Sequence, residues 1–155
     1  MAGESVRHQI MDAVIAALTA ITTTNGYKTT VVTVSENLRH WEELNFDEFP
    51  AIFPIDADEM KQMGAIFGGT TNDMEGHLTV IVTCMVHSHT NDTRTARTNL
   101  IRDVEKAIMA NSTLAGLDIM TLPRRVVTDK GNIPNYSVWD QEFEIIYRYN
   151  SSNGG

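Results

Sequence analysis

A single cysteine, Cys84, stands in a chain of 155 residues, which excludes an internal disulfide and a cysteine-based zinc cage. Basic residues are scarce as well: twelve Lys and Arg against twenty Asp and Glu give a formal net charge of −8. A protein that grips duplex DNA displaces phosphate counterions with clustered Lys and Arg, so this balance argues against that class. No apolar run reaches the ~18 residues that a membrane helix requires. The apolar stretch Ala13–Ile21 has the look of a signal-peptide core, but Glu4 precedes it, Asp12 sits at its edge and no cleavage site follows. The chain therefore reads as intracellular, with the Asn-x-Ser/Thr matches at Asn91, Asn111 and Asn150 as chance occurrences.

Catalytic signatures are missing too. "GAIFGG" lacks the Lys and Ser/Thr of a phosphate-binding loop, and neither G-x-G-x-x-G nor G-x-S-x-G occurs. The carboxylates of "WEE", "DEF" and "DADE" read as solvated loop charges. Arg124 and Arg125 could meet an anion, although strand alternation turns at least one of them to solvent. Nothing assembles a nucleophile, a base and oxyanion donors, so the expectation is a protein that is not an enzyme and holds no cofactor.

What is present is an ordinarily globular chain, 42% hydrophobic and 21% charged. Residues 1–155 read as one domain with a core over about 4–149 and a flexible tail at 150–155. Val6, Ile10, Ala13, Val14, Ala17, Leu18 and Ile21 recur at helical spacing, which predicts a helix over 4–22 that ends at Asn25-Gly26. "TTVVTVS" is β-branched and predicts a strand, and 36–48 predicts a polar loop. In "FPAIFPID" the prolines lie four apart, so one side of an extended strand lacks two donors; this predicts a short edge strand or a partly paired one. The connection from Ala57 to Gly76 carries four glycines and apolar Met60, Met63, Ile66 and Phe67, which suits an adaptable contact loop. An alternative is that this loop folds back over its own core.

The strand "HLTVIVTCMVHSH" has an apolar even face, Leu78 to Val86, and a mixed odd face with Ile81, Met85, His87 and His89. Ile81 and Met85 make that face too apolar for open solvent, so it meets a partner or is covered by the 36–48 loop. Asp92 caps a second helix whose stripe is Ala96, Leu100, Ile101, Val104, Ala107 and Ile108. "IMTLPRRVVT" and "SVWDQEFEIIYRY" flank a turn rich in Gly, Pro and Asn, which predicts a hairpin. The order is α-β-β-β-α-β-β. It predicts an α+β fold: a single sheet of about five mostly antiparallel strands with two helices packed on one face.

"VTCMVHSHTND" invites a metal reading. Alternation places Cys84 on the opposite face from His87 and His89, so one ion cannot reach all three. The thiol belongs to the core. His87 and His89 share a face, but His8, His40 and His77 have no spacing that marks a third ligand. No metal site is assigned. Met60, Met63, Ile66, Phe67, Ile81, Met85, His87 and His89 form the candidate contact set, for a neighbouring subunit or another protein.

The element order, with "FPAIFPID", "TRTARTNLIRDVEKAIM", the "STLAGL" break and the closing aromatic "IIYRY" strand, resembles the tail terminator and tail-completion proteins of long-tailed bacteriophages. The resemblance spans about residues 4–149. It implies a non-enzymatic virion structural protein forming a homo-oligomeric, hexameric ring. That ring would cap the tail tube, stop its polymerisation and join the tail to the head connector. The implied partners are the tail tube protein and the connector or neck protein, with no membrane. DNA would pass through an acidic lumen without specific binding. A head-completion or neck protein of the same particle is the nearest alternative. A small intracellular metal- or ligand-binding protein built on His87 and His89 is the alternative from another class.

Overall fold

The computed structural model of the protein describes residues 4–63, 73–88, 92–110 and 119–150. Its elements are helix α1 (Val6–Thr19), strands β1 (Thr33–Val34), β2 (Ala51–Met63) and β3 (Asp73–His87), helix α2 (Thr93–Ala110), and strands β4 (Ile119–Thr128) and β5 (Tyr136–Asn150). The strands form one five-stranded sheet in the order β1-β2-β3-β5-β4. The fold is α+β, as the element order predicts.

The helices begin where their caps dictate. The Ser5 hydroxyl accepts the His8 amide at 3.2 Å, and Asp92 accepts the Thr95 amide at 2.9 Å. Each satisfies a donor that the first turn leaves without an intrahelical partner. Those hydrogen bonds favour the ionised form of Asp92 and hold its pKa below the ordinary value. Past α1, a tight turn over Thr23–Asn25 closes on Gly26, whose φ of 85° suits glycine.

Both helices pack on the even face of β3. Ile10, Val14 and Leu18 of α1, and Leu100, Val104, Ala107 and Ile108 of α2, bury against Leu78, Val80, Val82, Cys84 and Val86. β5 contributes Trp139, Phe143, Ile145 and Tyr147 to the same core at alternate positions. Gln141 shares that buried face. Its amide accepts the Trp139 indole N–H at 3.0 Å and donates to the Ile101 carbonyl of α2 at 3.1 Å. A buried polar side chain is tolerated because both of its ends are hydrogen-bonded. Cys84 is fully buried, and that burial pushes its thiol pKa well up.

Four sequence expectations change. The sheet is mixed: β1 and β2 are parallel, while β2–β3, β3–β5 and β5–β4 are antiparallel. The predicted strand at 29–35 shrinks to Thr33–Val34, because that is all that β2 pairs with. "FPAIFPID" leads into a thirteen-residue strand from Ala51 that is not short, but its outer side is paired only at Ala51 and Ile52, the partly paired alternative. The expected loop from Ala57 to Gly76 is strand over 57–63 and again over 73–76. A register shift between Asp56 and Glu59 lets β2 continue past the acidic "DADE" stretch in contact with β3. Period-2 patterning is lost at such a bulge, so the extension is invisible to alternation alone.

The other face of the sheet carries a smaller core of Leu44, Phe49, Ala51, Phe53 and Met85, with Trp41, Tyr136 and Val138 against it. The 36–48 segment supplies its lid through short turns at Trp41–Glu43 and Phe46–Glu48. The capping carboxylates of Glu43 and Glu48 reach back to the amides of His40 and Asn45.

Gly76 decides how the far end of the sheet is built. A Cβ there would stand 2.7 Å from Cε1 and Cζ of the cross-strand Tyr147 ring. The ring lies over the glycine, and its hydroxyl donates to Glu59. Gly76→Ala is expected to lower stability by about 1–3 kcal/mol, the cost of overpacking a well-filled site. A Tyr147→Leu change on top of it recovers part of the loss in melting temperature, since it removes the obstructing ring.

Candidate functional site

The helix-free face of β3, β5 and β4 carries a connected polar lattice. Directly opposed residues of paired strands share a face, so Glu75 and His77 of β3 lie with Glu142 and Glu144 of β5. His77 Nδ1 is 2.8 Å from Glu144 Oε1, and Nε2 is 2.6 Å from Glu75 Oε1. Gln62 of β2 donates to Glu75 at 3.0 Å. Arg124 of β4 donates through Nε to the second Glu144 oxygen at 2.8 Å, and Arg125 grips Glu142 with two hydrogen bonds of 2.6 and 2.9 Å. Four strands are thereby stitched together from β2 to β4.

Arg124 and Arg125 are neighbours in sequence, so simple alternation would part them. A register shift between Pro123 and Arg125 lets both reach glutamates of the same face. Both carry exposed side chains but are paired within the chain. The pairing with Glu142 raises the Arg125 pKa and lowers that of Glu142. His77 is raised, first by the hydrogen bond to Glu144 and then by that to Glu75. Those two carboxylates are held below their ordinary value, chiefly by His77.

On the helix side, the rim of the core holds a second polar group. Arg7 of α1 donates to Asp56 at 2.6 Å, to Glu59 at 3.4 Å and to the Ala57 carbonyl at 3.0 Å. Hydrogen bonding to Asp56 is the main reason the Arg7 pKa is raised. Glu59 is almost wholly enclosed, with Lys61 Nζ 3.7 Å away and the Tyr147 hydroxyl on its other oxygen. Burial, and then the bond to Glu59, drive the Tyr147 pKa far up. This group ties the start of α1 to the bulge in β2.

The predicted contact residues fall into three groups. Met60 and Met63 lie on β2 and are 77% and 66% exposed. Met60 opposes His77 and Met63 opposes Met74, so they look to opposite faces of the sheet and cannot share one flat contact. Ile81 is half-buried between Ile55 and Glu142 on the polar face. Met85 is only 4% exposed, beneath the chain's own Phe49, Phe53 and Leu44. It offers no surface to a partner, because the 36–48 segment already covers it. Ile66, Phe67 and His89 lie outside the described residues.

His87 is drawn into an aromatic group, with ring centroids 4.6 Å from Phe46, 4.6 Å from Tyr136 in an edge-on arrangement and 6.0 Å from Phe49. A cavity of about 310 Å³ opens beside it, bounded by Phe46, Phe49, Val86, Lys28 and Asn99. Glu4, His8 and Asp12 stack on the exposed side of α1, with His8 Nε2 3.9 and 3.4 Å from the two carboxylates. Such i,i+4 charge pairs are usual on a solvated helix face.

Sequence reasoning missed the His77 and Arg7 groups. Glu75-x-His77 is a period-2 pair, but it carries that meaning only once β3 is known to begin at Asp73. The partners Glu144 and Glu59 are distant in sequence and leave no local signal. Neither the models of known protein families nor the curated proteins match this chain.

The His77 group has a definite pH signature. A raised histidine pKa adds stability that is complete below the free value of ~6.5 and is lost as pH climbs through the raised one. The lowered carboxylates add stability that is complete above ~4.3 and is lost as pH falls through their lowered values. The contributions overlap between about pH 4.5 and 6.5. His77→Gln should therefore reduce unfolding free energy by roughly 0.5–1 kcal/mol at about pH 5.5, and by less at about pH 8.5. Urea unfolding at both values checks this; an equal loss at the two would mean that the imidazolium is not what stabilises the lattice.

Proposed function

We propose that this chain is the subunit of a non-enzymatic ring in a long-tailed phage particle, acting as a tail terminator. In that role the ring caps the tail tube, stops its polymerisation and offers a surface to the head connector. The observation that carries this reading is the sheet's open construction. Among the described residues, β2 beyond Ile52 and the whole of β4 have no strand on their outer side. From Met60 to Met63, β2 is exposed at every position. Both edges carry bulges, a proline and charged side chains, which guard against unspecific pairing and leave the edge to a matching partner, as an assembly subunit requires.

The polar lattice supports a structural role as well. His77, Glu142, Glu144 and both arginines are spent on one another, which stiffens four strands rather than presenting reactive groups. No helix among the described residues is long and apolar enough to cross a membrane. The resemblance in element order adds the expectation of six copies, with DNA passing through the lumen unbound.

Light scattering of the purified protein, with negative-stain microscopy, is expected to give rings of about six subunits, alone or seated on tubes. A persistent monomer would overturn the reading. Deleting the gene should yield tails of uncontrolled length; normal-length tails on leaking heads would assign the chain to the neck instead.

A further inference from the structure

Two exposed edges of one sheet have complementary charge and opposite direction. Beyond Phe53, β2 carries Asp56, Asp58 and Glu59 against the single Lys61; Arg7 takes Asp56 and Glu59, so Asp58 is the acid left open to a neighbour. β4 carries Arg124 and Arg125 and no acid; Glu144 and Glu142 of β5 pair with them, yet half or more of each arginine side chain stays exposed. β2, β3, β5 and β4 are joined by three antiparallel ladders, so β2 and β4 run in opposite directions. Rotation about an axis along the strands preserves that opposition from one copy to the next.

We infer that the free edge of β2 in one copy pairs with the free edge of β4 in a second copy. The new ladder is antiparallel and lacks one donor, at Pro54, and the sheets join head to tail into one continuous sheet around the ring. This rests on the ring reading above and supplies its contact. A heterologous contact of this kind closes into a ring when the rotation per step divides a full turn. Self-pairing about a two-fold axis is disfavoured on either edge. Two β4 strands would set arginines against arginines, and two β2 strands would set carboxylates against carboxylates.

A centred register sets Ile55 against Val127 and Asp58 against Arg124. Ile55 opposes Ile81, and Val127 opposes Asp140, which accepts from Thr83 at 2.7 Å. Both apolar side chains therefore stand on the helix-free face, where they are 45% and 44% exposed. In the paired edge each covers the other. Asp58 is exposed, and Arg124 retains half its side-chain surface beside Glu144. A carboxylate from the neighbour gives Arg124 a second partner on its exposed side.

The test uses the full chain, whose own Cys84 is buried and out of reach of oxidation. Ile55→Cys and Val127→Cys are placed in one chain and oxidised. The double variant should give a ladder of covalent multimers up to the ring, and each single variant should give none. Separately, Asp58→Arg and Arg124→Asp should each raise the concentration needed for assembly tenfold or more, and the two together should restore it. Far-UV circular dichroism checks that each variant is folded. Rings that neither cross-link nor respond to charge reversal place the contact elsewhere and leave the ring reading standing. Dimers from Ile55→Cys alone would show two-fold pairing and overturn the head-to-tail ladder. Unmodified protein that stays monomeric removes both.

Discussion

The ring of Tyr147 lies across the backbone of Gly76, and much of the far end of the sheet follows from that contact. Without a Cβ at 76, the phenol can drop onto β3 and reach Glu59. Glu59 then has a reason to face inward, although an enclosed carboxylate is costly unless it is hydrogen-bonded and paired. Arg7 answers that charge from the first turn of α1 and also takes Asp56 and the Ala57 carbonyl. One glycine, one tyrosine, one arginine and two acids thus set where β2 bulges and where α1 sits against the sheet.

The two faces of the sheet are held by different physics. The helix side is close-packed hydrocarbon interrupted by the satisfied amide of Gln141. The opposite side divides again, with an aromatic and aliphatic core under the 36–48 segment at one end and charged pairs over β3, β5 and β4 at the other. Individual exposed ion pairs contribute little. Here Glu144 is shared between His77 and Arg124, so the pairs form a network whose members hold one another's geometry. Such a face satisfies its own charges without a covering layer.

Much of the fold was legible in periodicity. The stripes of α1 and α2, the even face of β3, the odd face of β5 and the cap at Asp92 are local patterns, and the structure has each of them. The candidate contact set was legible only in part. Met60 and Met63 are exposed, but on a strand and on opposite faces. Met85 is no contact residue but is covered by a segment some forty residues earlier in the chain, the alternative that its apolar odd face left open. "DADEMKQM" read as loop because its acids, lysine and bulge hide the strand alternation. Its pairing with β3 outweighs that weak local preference.

By itself the sequence determined what each local segment is: which residues form the buried stripes, where the helices begin, that Cys84 cannot join His87 around one ion, and that the chain is acidic. Those features depend on neighbours within a few positions, and alternation or helical spacing encodes them directly. Only the tertiary structure decided that β1 runs parallel to β2, that bulges at 56–59 and 123–125 turn adjacent charges to one side, and that His77 lies between Glu75 and Glu144. It also decided that β2 and β4 are the edges. Strand order and cross-strand partnership are set by which long-range pairings bury the most surface together, and no window of sequence contains both partners.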